Sequence, residues 1–586
     1  MSGDAISALL DWATSHGAEI DENLQFKYSE DRGVYAVSTS SSSSCGLKIP
    51  LELIMDGSMA VGVFGCELST DRIQNGGVKL LLCKLKYDKS PTRYKEVILN
   101  DFFSHYIKLL PTGRSTRSPY YWYDDELSLF QNSNLGGSLP AKFRAVVEEW
   151  FAIVTNLPES FQDEQYHLDL HFYNKVFSCS RDELIDELLS QDSWTSFGAY
   201  LWSTIIFTSR AFPNKIINSE VKDGQAMLLP VIDLLNHDTS ARVNWSYETA
   251  ASRGYFSLQL LGPLEAGKEV FNNYGAKGNE ELLMGYGFVI PENPNDSVAL
   301  RLPVNLKQLA LAQKLHIHLP TIDDYTYHAF DTAMTPVSTT DLESFIQEGL
   351  LYFINRSQLV PDPLLDFFTA MTLNELEHQF TIRSRLQALQ ALRNAIDSKL
   401  ALLKKKPKAT VSSANDIVIC SKIYISGQKE LLKSCSAEIK SQEKKLLQDW
   451  KSQIWNIKKI YKKHSPFREA LAQLGFNTVE EAEASHEYQA YLSLWVLLLV
   501  KIPSEEFQPP QWIIDCFHKL DEDLQTFRTD AIHATMVREL KEGLGDLPIA
   551  EHINEDDMLL AEKVVDLNSY TRSNGYETIL VGPMTI

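Results

Sequence analysis

The chain has 586 residues, and 77 acidic against 55 basic side chains leave it a net charge of −22. That length predicts two to four domains. The acidic surplus disfavours direct contact with a phosphate backbone and favours a basic protein as partner. Seven scattered cysteines, none in a C-x-x-C pair, argue against a zinc centre or a disulfide framework and fit a reducing compartment.

The first stretch, MSGDAISALLDWATSHGAEIDE, is acidic and amphipathic at helical spacing, unlike a secretory signal or an Arg-rich transit peptide. RGVYAV (32–37) and GLKIPLELIM (46–55) read as strands, with the tract Ser40–Ser44 between them expected as a loop tip. From about 90 to 210 the pattern turns helical, as in LPAKFRAVVEEWFAIV (139–154) and SFGAYLWSTIIFTSRAF (196–212). Short strands punctuated by Gly and Pro follow over 226–290, where GYFSLQLLGPLEAGKEV (254–270) predicts strand, turn, strand.

Beyond about 300, long amphipathic segments predict helices over 341–357, 381–405 and 424–455. KKKPKATVSSAND (404–416) breaks two of them and reads as a linker. Its Lys404, Lys405, Lys406 and Lys408 fit a charged helix end better than a nuclear-import patch. KSQIWNIKKIYKKH (451–464) reads as the solvated side of a helix rather than an RNA contact. LSLWVLLLV (492–500) is too short to span a bilayer. The stretch from about 505 is acidic and weakly patterned. The expected architecture is α+β: a β-rich section interrupted by helices, then an all-helical domain.

Two segments do not fit simple core or loop. LLPVIDLLNHDTSARVNW (228–245) runs from Leu, Val and Ile straight into Asp233, Asn236, His237 and Asp238. FNNYGAKGNEELLMGYGF (271–288) sets Tyr274, Tyr286 and Phe288 each beside a glycine that lets backbone approach something closely. Taken singly, Asn236 is a turn former, His237 a satisfied core histidine, and the second segment a turn before a capped helix.

Together with EDRGVYA (30–36), SRAF (209–212) and SGQKELL (426–432), in this order, these segments resemble the SET-domain protein lysine methyltransferases. Within that group they are similar to the branch typified by the plant Rubisco large-subunit methyltransferase. DLLNHD, NNYGAKGNEELLMGYGFV, DSVAL and RLQALQALRNAIDSKL are similar to the yeast ribosomal lysine methyltransferases acting on a large-subunit ribosomal protein. The resemblance implies a SET domain over 1–300 with a helical insertion at about 90–210, a helical substrate-binding domain over 301–504, and an acidic region over 505–586.

It also implies S-adenosylmethionine as cofactor, held where the two odd segments pass through one another in a knot-like arrangement. Asn236 and His237 would serve the cofactor's amino-acid and adenine ends, with Glu30 and the Arg32 backbone on the other side. Asp31 stands where the family often has glycine. Ser209 and Arg210 match the segment facing the methionine part, and Phe288 would lie against adenine. Tyr274 matches the catalytic tyrosine and also lines the cofactor, and Tyr286 would wall the substrate-lysine channel. No metal is implied, and the post-SET cysteine cluster of many histone-directed relatives is absent, which favours a non-histone substrate.

The implied enzyme is a monomer acting on a basic protein in the cytoplasm, with a nuclear fraction possible in principle, and independent of membranes and nucleic acid. Two other readings stand beside it. One keeps the reaction and takes cytochrome c as substrate; the other keeps the SET fold as a binding module without catalysis, which predicts erosion at Asn236, His237 or Tyr274. All three residues are intact.

Overall fold

Two residue patterns set the architecture: period-two strands in the first half and period-3.6 helices in the second. A computed structural model of the chain describes all residues except 1–2, 70–72, 223, 251, 321–344, 348, 406–415, 505, 523–530 and 573–576. The linker stretch 406–415, with Lys406 and Lys408, therefore lies outside the described residues. The described chain divides into two compact units. The first holds the residues up to Ser297 and the stretch Leu403–Gln428, and the second holds the remainder.

In the first unit, the helix Gly3–Ser15 buries Ile6, Leu9, Trp12 and Ala13 along one face. Strand Leu24–Ser29 then turns into Gly33–Ser38 in register Ser29↔Gly33, so Glu30, Asp31 and Arg32 form the hairpin tip. Gly33 closes that tip at φ 70°, a left-handed conformation that costs glycine little. Gly33–Ser38 continues into Glu269–Val270 as a three-stranded sheet. A second sheet runs Glu19–Ile20, Ser42–Pro50, Arg253–Leu264, Arg242–Ala250.

The serine tract is not a free loop tip. Ser42 and Ser44 pair with Leu264 and Leu261 inside the sheet. Composition misleads here because the ladder needs only backbone groups, and the partner strand that supplies them lies more than two hundred residues away.

The helical insertion is built around Asn134–Thr155 and Phe197–Arg210. Ser133 and Ser196 cap them, accepting from the N–H groups of Gly136 and Ala199 at 3.2 Å each. Asn134–Thr155 buries Leu139, Phe143, Val147, Trp150 and Val154 at helical spacing. Phe197–Arg210 is buried on every side from Phe197 to Phe207, so its last turn delivers Ser209 and Arg210 from a fixed position.

In the second unit, Ile382–Leu403 and the later part of Asp416–Asp449 are the long helices that the periodicity predicts. Two stretches differ from expectation. Within the expected helix 341–357, Leu350–Asn355 is a strand, paired with Ser297–Leu302. LLYFIN alternates buried and half-buried residues, and its aromatic and β-branched side chains suit a pleated surface.

The acidic stretch beyond 505 contains the helices Gln511–Glu522 and Glu555–Asn568 and the strand Thr578–Val581. Ile513, Phe517 and Leu520 recur at helical spacing among the charges and join a core with Trp455, Trp495, Val564 and Val565. Thr578–Val581 forms a small sheet with Ile454–Trp455 and Ser569–Thr571, so helices dominate this unit without filling it.

The basic stretch 451–464 is solvated at Lys451, Lys458, Lys462 and Lys463, as expected. Lys459 donates to the carbonyls of Lys451, Ser452 and Ile454, and Lys458 pairs with Glu483 at 3.0 Å. No described helix is long and apolar enough to cross a membrane.

His464 is 1% exposed, packs on Phe507 at 4.8 Å, and its Nδ1 has no hydrogen-bond partner among the described residues. Burial pushes its pKa down from 6.5 to about 4. As pH falls the unfolded chain takes up this proton first, so the neutral ring's stabilisation is complete above 6.5 and lost toward about 4. His464→Leu should flatten the acid decline of stability across that window, followed by Trp455 and Trp495 fluorescence. A slope equal to that of the parent protein would exclude His464 as its source.

Candidate functional site

The site begins at a strained corner. After the strand Ala226–Leu228 the buried Val231 adopts φ 76° and ψ −48°, near a γ-turn and costly for a β-branched residue. The following 3-10 turn, Ile232–Leu234, buries Asp233. Its carboxylate accepts from the Tyr106 hydroxyl at 2.8 Å and from Arg210 Nη1 at 3.2 Å, and its carbonyl accepts from Arg210 at 2.8 Å. Burial pushes the Asp233 carboxyl upward, and Arg210 and Tyr106 pull it back. This cluster fixes where the chain emerges next.

Residues 236–238 then run alongside 272–274. Asn272 N–H donates to the Asn236 carbonyl at 2.8 Å, Asp238 N–H donates to the Asn272 carbonyl at 3.0 Å, and His237 and Asn272 form a parallel bridge. Tyr274 N–H donates to His237 Nδ1 at 3.0 Å. Nδ1 must therefore be the unprotonated nitrogen, which places the proton on Nε2. Burial keeps the ring neutral by lowering its pKa. Nε2 is buried without a partner among the described residues, a donor with nothing to donate to.

The aromatics stack outward from this bridge. His237 lies on Tyr274 with centroids 4.9 Å apart and planes 15° off parallel, and Tyr274 lies on Tyr286 at 4.9 Å and 21°. Phe288 closes the group edge-on to Tyr286 at 6.3 Å. The Tyr274 hydroxyl donates to the Leu235 carbonyl at 2.7 Å, and burial pushes its pKa up to about 12.

On the opposite wall, Arg32 pairs with the buried carboxylate of Glu269, whose other oxygen accepts from Asn236 Nδ2 at 2.9 Å. Asn236 Nδ2 also reaches the Arg32 carbonyl at 3.4 Å. These groups surround a cavity of about 710 Å³. The structure brings Glu30, Arg32, Ser209, Arg210, Asn236, His237, Tyr274, Tyr286 and Phe288 together in its lining. Ser209 Oγ donates back to the Ile205 carbonyl at 2.9 Å, so toward the cavity it can only accept. Arg210 faces the cavity but is committed to Asp233.

Sequence reasoning missed the supporting residues. Glu269 looks like one more surface acid in GKEV, yet its side chain is only 6% exposed and holds both Arg32 and Asn236. Tyr106 lies 127 residues from Asp233 in a helical stretch, where no local signal reports the contact.

Among the described residues no group of His, Cys, Asp or Glu is arranged to hold a metal ion. The donor set suits a polar organic ligand: an orphaned imidazole N–H, a carboxamide, a hydroxyl acceptor and stacked aromatic faces.

Comparison with known proteins decides the family. Ribosomal lysine N-methyltransferase 1 of Saccharomyces cerevisiae is 36% identical over 517 residues, spanning 86% of this chain and 87% of its own. The chain belongs to the SET-domain protein-lysine N-methyltransferases. Protein-lysine N-methyltransferase EFM1 of Saccharomyces cerevisiae is 25% identical over 518 residues, covering 84% of this chain and 82% of its own. A family model described as the EFM1 middle domain matches residues 322–450. In fold, Rubisco LSMT bound to AdoMet superposes with a TM-score of 0.52 at 17% identity, over 76% of this chain and 94% of the other. For this SET-domain protein, the cavity described above is the candidate active site.

Breaking a buried ion pair from one side strands the other charge, at a cost of about 3–5 kcal/mol. Arg210→Met should lower the unfolding free energy of the first unit by about that amount in denaturant titrations. Adding Asp233→Asn should recover part of it. A loss below about 1 kcal/mol would mean that Asp233 is not held as a buried anion.

Proposed function

We propose that the chain methylates the ε-amine of a lysine on a large-subunit ribosomal protein, with S-adenosylmethionine as donor. It is a protein-lysine N-methyltransferase by family. The substrate reading is supported by the 36% identical relative, which is named for ribosomal lysine methylation, and by the net charge of −22. Within the helical insertion, the stretch 163–187 adds to that acidity, with Asp163, Glu164, Asp169, Asp182, Glu183, Asp186 and Glu187 against Lys175 and Arg181. A basic ribosomal protein suits such a surface. Seven free cysteines fit a cytoplasmic address.

The observation that carries the reading is the bridge between His237 and Asn272, with the three-ring stack attached to it. S-adenosylmethionine supplies, when bound, a methyl group made electrophilic by a sulfonium. Asn236, the His237 Nε2 proton, Glu30, the Arg32 backbone and the Ser209 acceptor are the groups that would hold it, with Phe288 beside the adenine. Arg210 serves through Asp233, fixing the turn that presents them.

The chain's other task is to make a lysine reactive. An amine of pKa ~10.4 costs roughly 4–5 kcal/mol to present neutral at pH 7. Tyr286, the outer ring of the stack, offers an aromatic face that attracts the ammonium by about 0.5–2 kcal/mol and then desolvates it, lowering its pKa. The Tyr274 hydroxyl has its proton committed to Leu235 and a pKa pushed up to about 12, so it cannot serve as a base near neutrality. Its oxygen can still accept a hydrogen bond and so orient the amine, whose proton leaves to water.

Tyr274→Phe should lower turnover by about a hundredfold, since misalignment alone costs that much, while calorimetry finds S-adenosylmethionine bound nearly as before. Unchanged turnover would remove Tyr274 from the reaction. For the substrate, purified protein and labelled S-adenosylmethionine are added to a lysate from cells that lack it. A labelled band of large-subunit ribosomal protein is expected; label on cytochrome c instead would replace that substrate.

A further inference from the structure

The hairpin tip Glu30–Asp31–Arg32 has no sheet neighbour of its own, yet it forms one wall of the cavity. Arg32 is tethered to Glu269. A second tether comes from Arg117. Its guanidinium donates to the Asp31 carbonyl at 3.1 Å and to the Glu30 carbonyl at 3.3 Å, and pairs with Asp416 at 3.4 Å. Arg117 itself sits at φ 58°, a left-handed backbone that a non-glycine residue rarely adopts.

The segment carrying it is firmly anchored. Arg114 pairs with Glu126 and donates to the Tyr121 carbonyl at 2.8 Å. On its other side Thr116 and Arg117 press against Gly287, where a Cβ would meet the Thr116 carbonyl oxygen at 2.7 Å and Arg117 Cβ at 2.8 Å. Only glycine permits that approach, and Gly287 precedes Phe288. Arg117 therefore joins the hairpin tip to the Gly287–Phe288 corner.

A second cleft of about 460 Å³, walled by Trp122, Val289, Ile417 and Ile423, shares Arg117, Gly287 and Phe288 with the main cavity. Arg117 stands in the partition between the two. With its guanidinium withdrawn, no other side chain among the described residues donates to the two tip carbonyls, and Arg32 is left as the tip's tether on this wall of the cavity.

We propose that Arg117 is a positioning residue that clasps the hairpin tip over the cofactor cavity and so governs how tightly S-adenosylmethionine is retained. The inference rests on the methyltransferase reading of that cavity. All three contacts are made by one half-exposed guanidinium, so the Asp416 pair contributes little, and the effect rests on the fork that spans two backbone carbonyls. Lysine cannot reproduce it fully, because a single ammonium lacks the planar fork that spans two acceptors.

The full-length parent, Arg117→Met and Arg117→Lys are compared by calorimetry with S-adenosylmethionine, by steady-state kinetics on the substrate, and by thermal unfolding. Arg117→Met should raise the Kd and the KM for S-adenosylmethionine about tenfold, with kcat changed less than twofold and the unfolding temperature retained. Arg117→Lys should fall between the two. A Kd for Arg117→Met equal to the parent's, or a loss confined to kcat, overturns the clasp. A fall in unfolding temperature that accounts for the lost binding reduces Arg117 to a structural residue and overturns it too. Failure of the parent protein to bind S-adenosylmethionine is a different result, and removes the methyltransferase reading itself.

Discussion

The candidate site depends on two backbone hydrogen bonds, Asn272 N–H to the Asn236 carbonyl and Asp238 N–H to the Asn272 carbonyl. They make two distant segments into one short parallel ladder. Once it exists, His237 accepts from Tyr274, the rings of His237, Tyr274 and Tyr286 stack, and Asn236 meets Glu269. Each of these contacts, the two backbone bonds included, is worth only about 1 kcal/mol, so the set acting together holds the segments. The ladder is in turn positioned by the buried Asp233, gripped by Arg210 and Tyr106 at the strained Val231 corner.

Much of this was legible because the two segments stand in company and order with others that resemble one family. Taken singly, the Asn-His run and the three aromatics beside glycines each have an ordinary core or turn explanation, and it is their occurrence together, in the order of the family they resemble, that marks the site. Helices such as Asn134–Thr155 and Ile382–Leu403 were legible locally, since their periodicity agrees with what they become. What could not be read lies in long-range pairing. Arg117 and Asp31 are 86 residues apart, and nothing near either reports the other. Glu269 is a carboxylate in a two-residue strand, too short for alternation to mark its inward face.

The same limit explains the secondary-structure differences. LLYFIN carries apolar residues that serve either a buried helix or a strand, and the choice is made by the partner Ser297–Leu302. In the second unit's last stretch, charge concealed the spacing of Ile513, Phe517 and Leu520, which is helical once the acids between them are read as a solvated face.

The sheet that frames the site also imposes a waiting time. Ser42–Pro50 pairs with Arg253–Leu264, and Gly33–Ser38 with Glu269–Val270, so the early strands leave the ribosome over two hundred residues before their partners. At translation speeds of 5–20 residues per second, that interval is about 10–40 s. An unpaired strand edge is a template for aggregation throughout. The serines at the start of Ser42–Pro50 give that edge hydroxyls instead of apolar side chains while the nascent chain is incomplete. The serine tract, which does not line the candidate cavity, thus presents hydroxyls on that edge until its partner strand has been made.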